Sequence, residues 1–130
     1  PPRSTRYNHA IALDPSHFKA LFNRAFAYHQ LGDCDAAILD YNAAHALDRT
    51  NGYVLFNRGI SLHSKGEFQR AIRDFSAGAK LLPSPQSVAD CLMNRGFAYR
   101  QMGEYSLALA DYSSSIEMTK PRMNFKVSRQ

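Results

Sequence analysis

The chain has 130 residues, and its 16 lysines and arginines outnumber its 11 aspartates and glutamates, which gives a net charge of +5. The length suits one domain. Neither an apolar run of about 18 residues nor an apolar N-terminal stretch is present, so we predict neither a membrane span nor a secretory signal. Cys34 and Cys91 occupy unrelated positions, so we expect reduced thiols and a cytoplasmic or nuclear location. The moderate positive charge favours acidic partners.

The N-terminal segment combines an irregular stretch with a short helix. Residues 1–5 contain Pro and Ser without periodicity, so we expect them to be disordered. Residues 6–15 have helical periodicity. Pro15 cannot continue a helix, and Ser16 is a suitable N-cap for the next one.

Three helix pairs follow. The predicted helices cover residues 17–31 and 33–47, 52–65 and 67–81, and, in the third pair, a helix that begins near residue 85 and one over 104–117. Gly32 is placed to end the first of these helices and Asp33 to cap the second. Ser84 and Pro85 predict an early N-terminus for the third pair, with residues 86–88 helical. Residues 121–130 are basic and form either the start of a further helix or a capping helix.

The helix pairs repeat one another. Asn57-Arg58-Gly59 recurs 34 residues earlier as Asn23-Arg24-Ala25 and 37 residues later as Asn94-Arg95-Gly96. A period in the thirties with small and aromatic residues at fixed offsets predicts a helical solenoid, in which about three copies are needed to bury a continuous core.

This unit resembles the tetratricopeptide repeat. We number its places from Phe18, Gly52 and Ala89, where the three copies begin. The family has a bulky residue at place 4, a small one at 8, an aromatic at 11, Gly at 15, Ala at 20, an aromatic at 24, Ala at 27 and Pro at 32. The residues at these places are Leu21, Ala25, Tyr28, Gly32, Ala37, Tyr41 and Ala44; Leu55, Gly59, Leu62, Gly66, Ala71, Phe75, Gly78 and Pro83; and Leu92, Gly96, Tyr99, Gly103, Ala108 and Tyr112. Arg49, Ser115 and Lys120 depart from the pattern.

The resemblance implies an all-α, right-handed α-solenoid of antiparallel helix pairs with roughly seven helices. The expected units are a half-repeat at 6–15, repeats at 16–49, 50–83 and 84–120, and a basic tail or capping helix at 121–130. Each repeat consists of a helix A followed by a helix B. Because residues 6–15 match a B helix without its A helix, we expect the chain to be part of a longer array.

In the family, places 2, 5, 9 and 12 of helix A face the concave side of the superhelix. The resemblance therefore implies a groove with a first apolar row of Phe22, Phe56 and Met93, and a second row of Phe26, Ile60 and Phe97. Lys19, Tyr53 and Asp90 lie beside these rows, and His29, His63 and Arg100 form the rim. We expect the first row to be exposed, whereas the second is either exposed or packed between neighbouring A helices.

Place 6 holds an asparagine in every copy, and we call Asn23, Asn57 and Asn94 the asparagine column. A carboxamide both donates and accepts, so it can pair with a peptide N–H and C=O whatever the ligand's sequence. The column resembles the asparagine ladder with which some tetratricopeptide arrays hold an extended peptide. The alternative is that these amides bond to neighbouring backbone.

Place 7 holds an arginine and place 23 an aspartate in every copy. We call Arg24, Arg58 and Arg95 the arginine column; the aspartates are Asp40, Asp74 and Asp111. We predict structural ion pairs within or between repeats, each worth about 0–1 kcal/mol if exposed. The alternative is an arginine row for acidic or phosphorylated ligands.

Other functional classes find less support. Chaperone-binding members of the family have a carboxylate clamp. Only Asn57 matches a clamp residue here, because the other clamp places hold Phe22, Phe26, Asp90 and Asn94. We therefore do not expect a chaperone C-terminal tail as the partner. The best basic cluster lies in the tail, so nucleic-acid binding is not expected either.

The sequence predicts no enzyme, cofactor or metal site. The histidines have no metal-ligand spacing among themselves or with cysteine; they are His9, His17, His29, His45 and His63. A glycine-rich phosphate loop is also missing.

Two functions follow. The first is a non-catalytic protein–protein interaction scaffold that binds an extended peptide in the concave groove through the asparagine column and the aromatic rows. The second is an architectural segment whose open ends stack on further repeats or on another copy of the chain.

Overall fold

The computed structural model describes residues 2–14 and 17–121 of the chain. This part contains seven α-helices and no strand: α1 (Pro2–Leu13), α2 (Phe18–Gln30), α3 (Cys34–Leu47), α4 (Gly52–Ser64), α5 (Phe68–Ala79), α6 (Pro85–Gln101) and α7 (Tyr105–Thr119). Each helix packs against its neighbours in sequence, and α2 also contacts α4, as α4 contacts α6. The architecture is an all-α solenoid in which α2–α3, α4–α5 and α6–α7 are the helix pairs.

Each helix pair turns at a glycine. Gly32, Gly66 and Gly103 have φ of 85°, 85° and 79°, the left-handed region that a residue with a Cβ adopts only at a cost. In the first pair, the Asp33 side chain then accepts a hydrogen bond from the backbone N–H of Ala36 at 3.1 Å, which caps α3. These turns are short enough to place consecutive helices side by side.

The core runs continuously along the array. One buried cluster joins α2, α3 and α4 through Leu21, Tyr41 and Val54. The next joins residues of α3 to α6, among them Leu62 and Phe75. Because each cluster includes residues from consecutive repeats, α3 is covered by α4, and α5 by α6.

The start of α6 follows from its N-terminal sequence. Ser84 and Ser87 form a capping box, in which each side chain bonds the backbone N–H of the other at 3.1 Å, and Pro85 is the first helical residue. Residues 86–88 are therefore helical, and α6 has 17 residues against 13 in α2 and in α4.

The N-terminal segment differs from expectation. Because α1 begins at Pro2, the prediction of disorder over 1–5 is wrong for residues 2–5. Proline is accommodated in the first turn, where its missing N–H would have no helical partner. The N-cap of α2 is His17, whose Nδ1 accepts from the backbone N–H of Ala20 at 3.0 Å. The predicted Ser16 cap and the predicted tail helix fall at residues outside the described part, which excludes 1, 15–16 and 122–130.

Candidate functional site

The arginine column forms three bidentate ion pairs. Arg24 donates from Nε and Nη2 to the two carboxylate oxygens of Asp40, both at 2.7 Å. The corresponding distances are 2.7 and 2.8 Å from Arg58 to Asp74, and 2.8 and 2.6 Å from Arg95 to Asp111. The three aspartates are only 6%, 8% and 5% exposed. These pairs therefore link the A and B helices of each repeat, and their burial makes them more consequential than surface pairs.

The third nitrogen of each guanidinium reaches the preceding repeat. Nη1 donates to Asn8 from Arg24 at 3.1 Å, to Asn42 from Arg58 at 3.0 Å and to Ser76 from Arg95 at 3.1 Å. These three acceptors all stand at place 25 of a B helix, a regularity that is visible in the sequence but was not used in the prediction. Each arginine thus joins three helices, and each of its three nitrogens already donates one hydrogen bond within the fold, which leaves the phosphorylated-ligand alternative without support.

The asparagine column lies on α2, α4 and α6, each residue directly before an arginine of the arginine column. Asn57 donates from Nδ2 to the carbonyl of Tyr53, and Asn94 to that of Asp90, both at 2.8 Å. Asn23 makes no such bond within the described part of the chain. All three side chains are partly buried. Bonding to neighbouring backbone, the alternative to peptide binding, therefore uses one amide hydrogen of Asn57 and one of Asn94. The Oδ1 atoms of these two residues accept no hydrogen bond from the described residues.

The first apolar row is less exposed than expected. Phe22 packs edge-on against Tyr41 with 5.8 Å between ring centroids, and Phe56 lies 6.1 Å from Phe75. The expectation of exposure is wrong for these two rings, because the buried aromatic at place 24 provides a surface on which they pack. Met93, at the same place in the third repeat, is 38% exposed.

The second apolar row is divided. Phe26 is 47% exposed, whereas Ile60 packs on the core cluster of α3 to α6. The Phe97 ring lies 5.7 Å from that of Tyr112, and the Arg100 guanidinium stands 5.7 Å above its centroid. This row is therefore exposed at Phe26 and packed at Ile60 and Phe97, and the Phe97 ring lies on the B helix of its own repeat.

Three further predicted residues, Lys19, Tyr53 and Asp90, are exposed on their A helices. Tyr53 is 42% exposed and adds an aromatic ring beside the asparagine column. Asp90 accepts a hydrogen bond from Gln86 at 2.9 Å.

Of the two histidines expected at the rim, His29 contacts the next repeat and His63 packs within its own repeat. His29 Nδ1 is 3.0 Å from the hydroxyl of Ser61, which is fully buried on α4. The His63 ring packs on Phe68 at 5.2 Å, and its Nε2 is buried without a partner among the described residues. Burial, and secondarily the charge of Arg100, lowers the pKa of His63. Only Arg100 of the predicted rim is exposed.

The two cysteines of the described part differ in their surroundings, since Cys34 is partly exposed with its Sγ 3.8 Å from His29 Nδ1, whereas Cys91 lies in the core. Cys91 is buried and donates to the Phe75 carbonyl at 3.2 Å, and burial raises its pKa to about 12, so it is a poor nucleophile. Over the described ranges, no group of three His, Cys, Asp or Glu side chains is placed to hold a metal ion. None of the helices there has the length and apolar character to cross a membrane.

Helix pairs in sequence register, each turning at a left-handed glycine, define the class of α-solenoid repeat proteins. Models of the tetratricopeptide repeat match residues 7–38 and 89–121. The chain belongs to the tetratricopeptide repeat family, which supports a protein-interaction scaffold as its general role.

Solved structures of MamA have a similar fold. A MamA crystal structure is 23% identical with a TM-score of 0.83, over 89% of this chain and 66% of that one. MamA from Desulfovibrio magneticus RS-1, residues 41 to the end, is 14% identical with a TM-score of 0.85, over 93% of this chain and 67% of that one. The chain thus spans slightly less than two thirds of the first of these MamA structures. Because both sequence identities are below 25%, the similarity shows only that the folds are alike. No curated protein sequence matches significantly.

Proposed function

We propose that the chain is a non-catalytic scaffold that holds an extended segment of a partner protein along the asparagine column. The observation that supports this most directly is the shared geometry of Asn57 and Asn94. Each amide is held by a 2.8 Å bond to the carbonyl one turn earlier in its own helix. The second amide hydrogen and the Oδ1 acceptor remain for a ligand's backbone, which presents both kinds of partner at every residue.

Exposed apolar side chains beside the column would hold the ligand's side chains. Tyr53, Phe26 and Met93 are 42%, 47% and 38% exposed, and each comes from a different repeat. An apolar side chain of this size is worth roughly 1.5–3 kcal/mol when it becomes fully buried. After the cost of ordering an extended ligand, two or three such contacts correspond to affinities on the order of micromolar.

The test is a peptide array probed with the wild type and with a triple variant in which Asn23, Asn57 and Asn94 are changed to Ala. The triple variant should lose most peptide binding, and Asn57→Ala alone should weaken it with little change in Tm. Asn42→Ala is the matched control, because Asn42 bonds Arg58 on the B-helix side. It should lower Tm slightly and leave binding intact. Unchanged binding in the triple variant, or a large loss of stability in Asn57→Ala, would contradict the proposal.

A second candidate is an architectural segment that stacks within a longer array. Exposed apolar side chains on α7 favour this function, because Leu109 and Ile116 are 65% and 64% exposed. Light scattering separates the two functions: association that grows with concentration supports stacking between copies, whereas a monomer that retains a peptide supports the scaffold.

A further inference from the structure

A cleft lies between the second and third repeats, at the edge of the array where helix A turns into helix B. It has a volume of about 310 Å³. Met102 and Leu107, which line it, are 39% and 46% exposed, so its apolar surface is in contact with water. We call it the edge cleft; its lining residues are Gln69, Ile72, Tyr99, Met102, Glu104 and Leu107.

The corresponding junction between the first and second repeats is bridged by ion pairs instead. Lys65 Nζ lies 2.5 Å from Asp35 and 3.3 Å from Glu67. Arg70 also bonds Glu67, at 2.8 Å. One repeat later, the places of Asp35, Lys65 and Arg70 are taken by Gln69, Met102 and Leu107. The edge cleft is therefore apolar because uncharged side chains replace those that bridge the earlier junction.

One end of the edge cleft carries an unpaired negative charge. Glu104 stands one repeat after Glu67, but the two cations that contact Glu67 have no counterpart beside it. Glu104 is exposed and forms no ion pair with another described residue. Its carboxylate is therefore free to attract a cationic group of a ligand.

The other end carries an unpaired positive charge. Gln69 and Met102 also line a neighbouring cleft of about 480 Å³, so the two clefts meet at these residues. The neighbouring cleft contains Arg73, which is exposed and forms no ion pair with a described residue. It also contains Arg70 and Glu67, whose charges offset each other. The apolar surface thus lies between an unpaired cation and an unpaired anion.

We propose that the edge cleft binds a segment of a partner protein in which an apolar side chain stands between an acidic and a basic residue. The apolar side chain contacts Met102 and Leu107. The acidic residue pairs with Arg73 and the basic residue with Glu104. The apolar contact supplies affinity, and the two charges fix the direction of the segment.

A second copy of the chain fits this surface less well than a projecting side chain does. A two-fold contact brings the same surface of both copies together. Because the edge cleft is concave, such a contact would leave both clefts unfilled. The asparagine column lines neither of the two clefts, so this binding does not depend on the peptide binding proposed for the column.

A subtractive selection of random short peptides displayed on phage tests the proposal with the full chain. The library is first depleted on a double variant, Gln69→Asp with Met102→Lys, which gives the edge cleft the ion-pairing groups of the earlier junction. This step removes peptides that bind elsewhere, including those held by the asparagine column. The peptides that the wild type then retains should share an apolar residue flanked by an acidic and a basic one.

Fluorescence anisotropy of a retained peptide measures each contact. Met102→Lys alone should weaken binding about tenfold or more, because the apolar contact is lost. Arg73→Ala should weaken it up to about fivefold, the effect of one exposed ion pair. Lys80→Ala is the matched control, because it removes the same charge from an exposed position outside both clefts and should leave binding unchanged. Arg73→Glu should prefer a peptide whose acidic residue is changed to Lys.

Three results would overturn the proposal. The first is that no peptide survives depletion, or that Arg73→Glu binds the retained peptides as tightly as the wild type does. The second is loss of binding when Asn23, Asn57 and Asn94 are changed to Ala, which would place these peptides on the asparagine column and leave the proposed function intact. The third is self-association of the wild type that Met102→Lys abolishes, which would assign the edge cleft to a second copy of the chain.

Discussion

Each residue of the arginine column satisfies a buried carboxylate and also holds the preceding repeat. Asp74 is 8% exposed, and both of its oxygens accept from Arg58. Removing one partner of such a pair leaves a charge in a place that water reaches poorly, which costs far more than the pair itself contributes. The same arginine's Nη1 bond to Asn42 is lost at the same time.

We therefore expect Arg58→Ala to lower the free energy of unfolding by about 3 kcal/mol. Arg73→Ala is the matched control, because Arg73 is exposed on α5 and forms no ion pair with a described residue. It should change stability by no more than about 0.5 kcal/mol. Urea denaturation followed by circular dichroism measures both variants, and equal losses would show that the pair does not stabilise the fold.

The partly buried ring of His63 makes stability depend on pH. Its pKa is lowered from 6.5, first by burial and then by Arg100, so below pH 6.5 the unfolded chain binds a proton that the folded chain does not. Stability is therefore complete above pH 6.5 and is lost as the pH falls below it. His45, whose pKa is also lowered, first by burial, contributes in the same direction.

The measurement is Tm at about pH 7.5 and 5.5. The wild type should melt at a lower temperature at the acidic pH, and His63→Gln should reduce that difference. His9→Gln, on the exposed side of α1, should keep the wild-type difference. A difference that is the same in His63→Gln and in the wild type would rule out this residue as the source.

At the scale of the helix pair, glycine at place 8 sets how closely helices A and B approach. A Cβ on Gly59 would lie 2.6 Å from Cε1 of Phe75, and one on Gly96 would lie 2.6 Å from Cε1 of Tyr112. Phe75 is fully buried, so its ring has little room to move. The first repeat has Ala25 at this place, and its side chain is fully buried.

Gly59→Ala should therefore destabilise the chain, although alanine is the better helix former. Overpacking costs about 1–3 kcal/mol and the gain in helix propensity is about 1 kcal/mol, which leaves a net loss of up to about 2 kcal/mol. The loss should shrink in a Phe75→Leu background, where the ring is absent. Thermal denaturation of the four variants of this cycle gives the coupling. A stabilised Gly59→Ala would mean that the helices separate easily.

The helix pairs could be predicted from the sequence because the same local signals occur three times in register. The start of α6 could be predicted because Ser84 and Pro85 act locally, through a cap and a fixed φ. The exposure of Phe22 and Phe56 could not, because it depends on which aromatic of the B helix lies beneath each ring. The position of His29 could not be predicted either, because its partner Ser61 belongs to the next repeat.

Packing in the whole molecule is nearly one-dimensional. In the described part, helices contact their neighbours in sequence, and otherwise only α2 with α4 and α4 with α6. In such arrays stability is approximately a sum of the repeats and the interfaces between them, so the ends open more easily than the middle. Among the described side chains of α1 none is buried, whereas α4 contributes six buried residues.

Hydrogen exchange should therefore be fastest in α1 and slowest in α4 and α5, with a difference on the order of a hundredfold between α1 and α4. Asn8→Ala removes the bond from Arg24 Nη1 to α1 but leaves the pair with Asp40 intact, so it should speed exchange in α1 alone. Arg24→Ala breaks both and should also speed exchange in α2 and α3. Equal exchange in all seven described helices, or an Asn8→Ala effect that reaches α4, would instead show that the array unfolds as one cooperative unit.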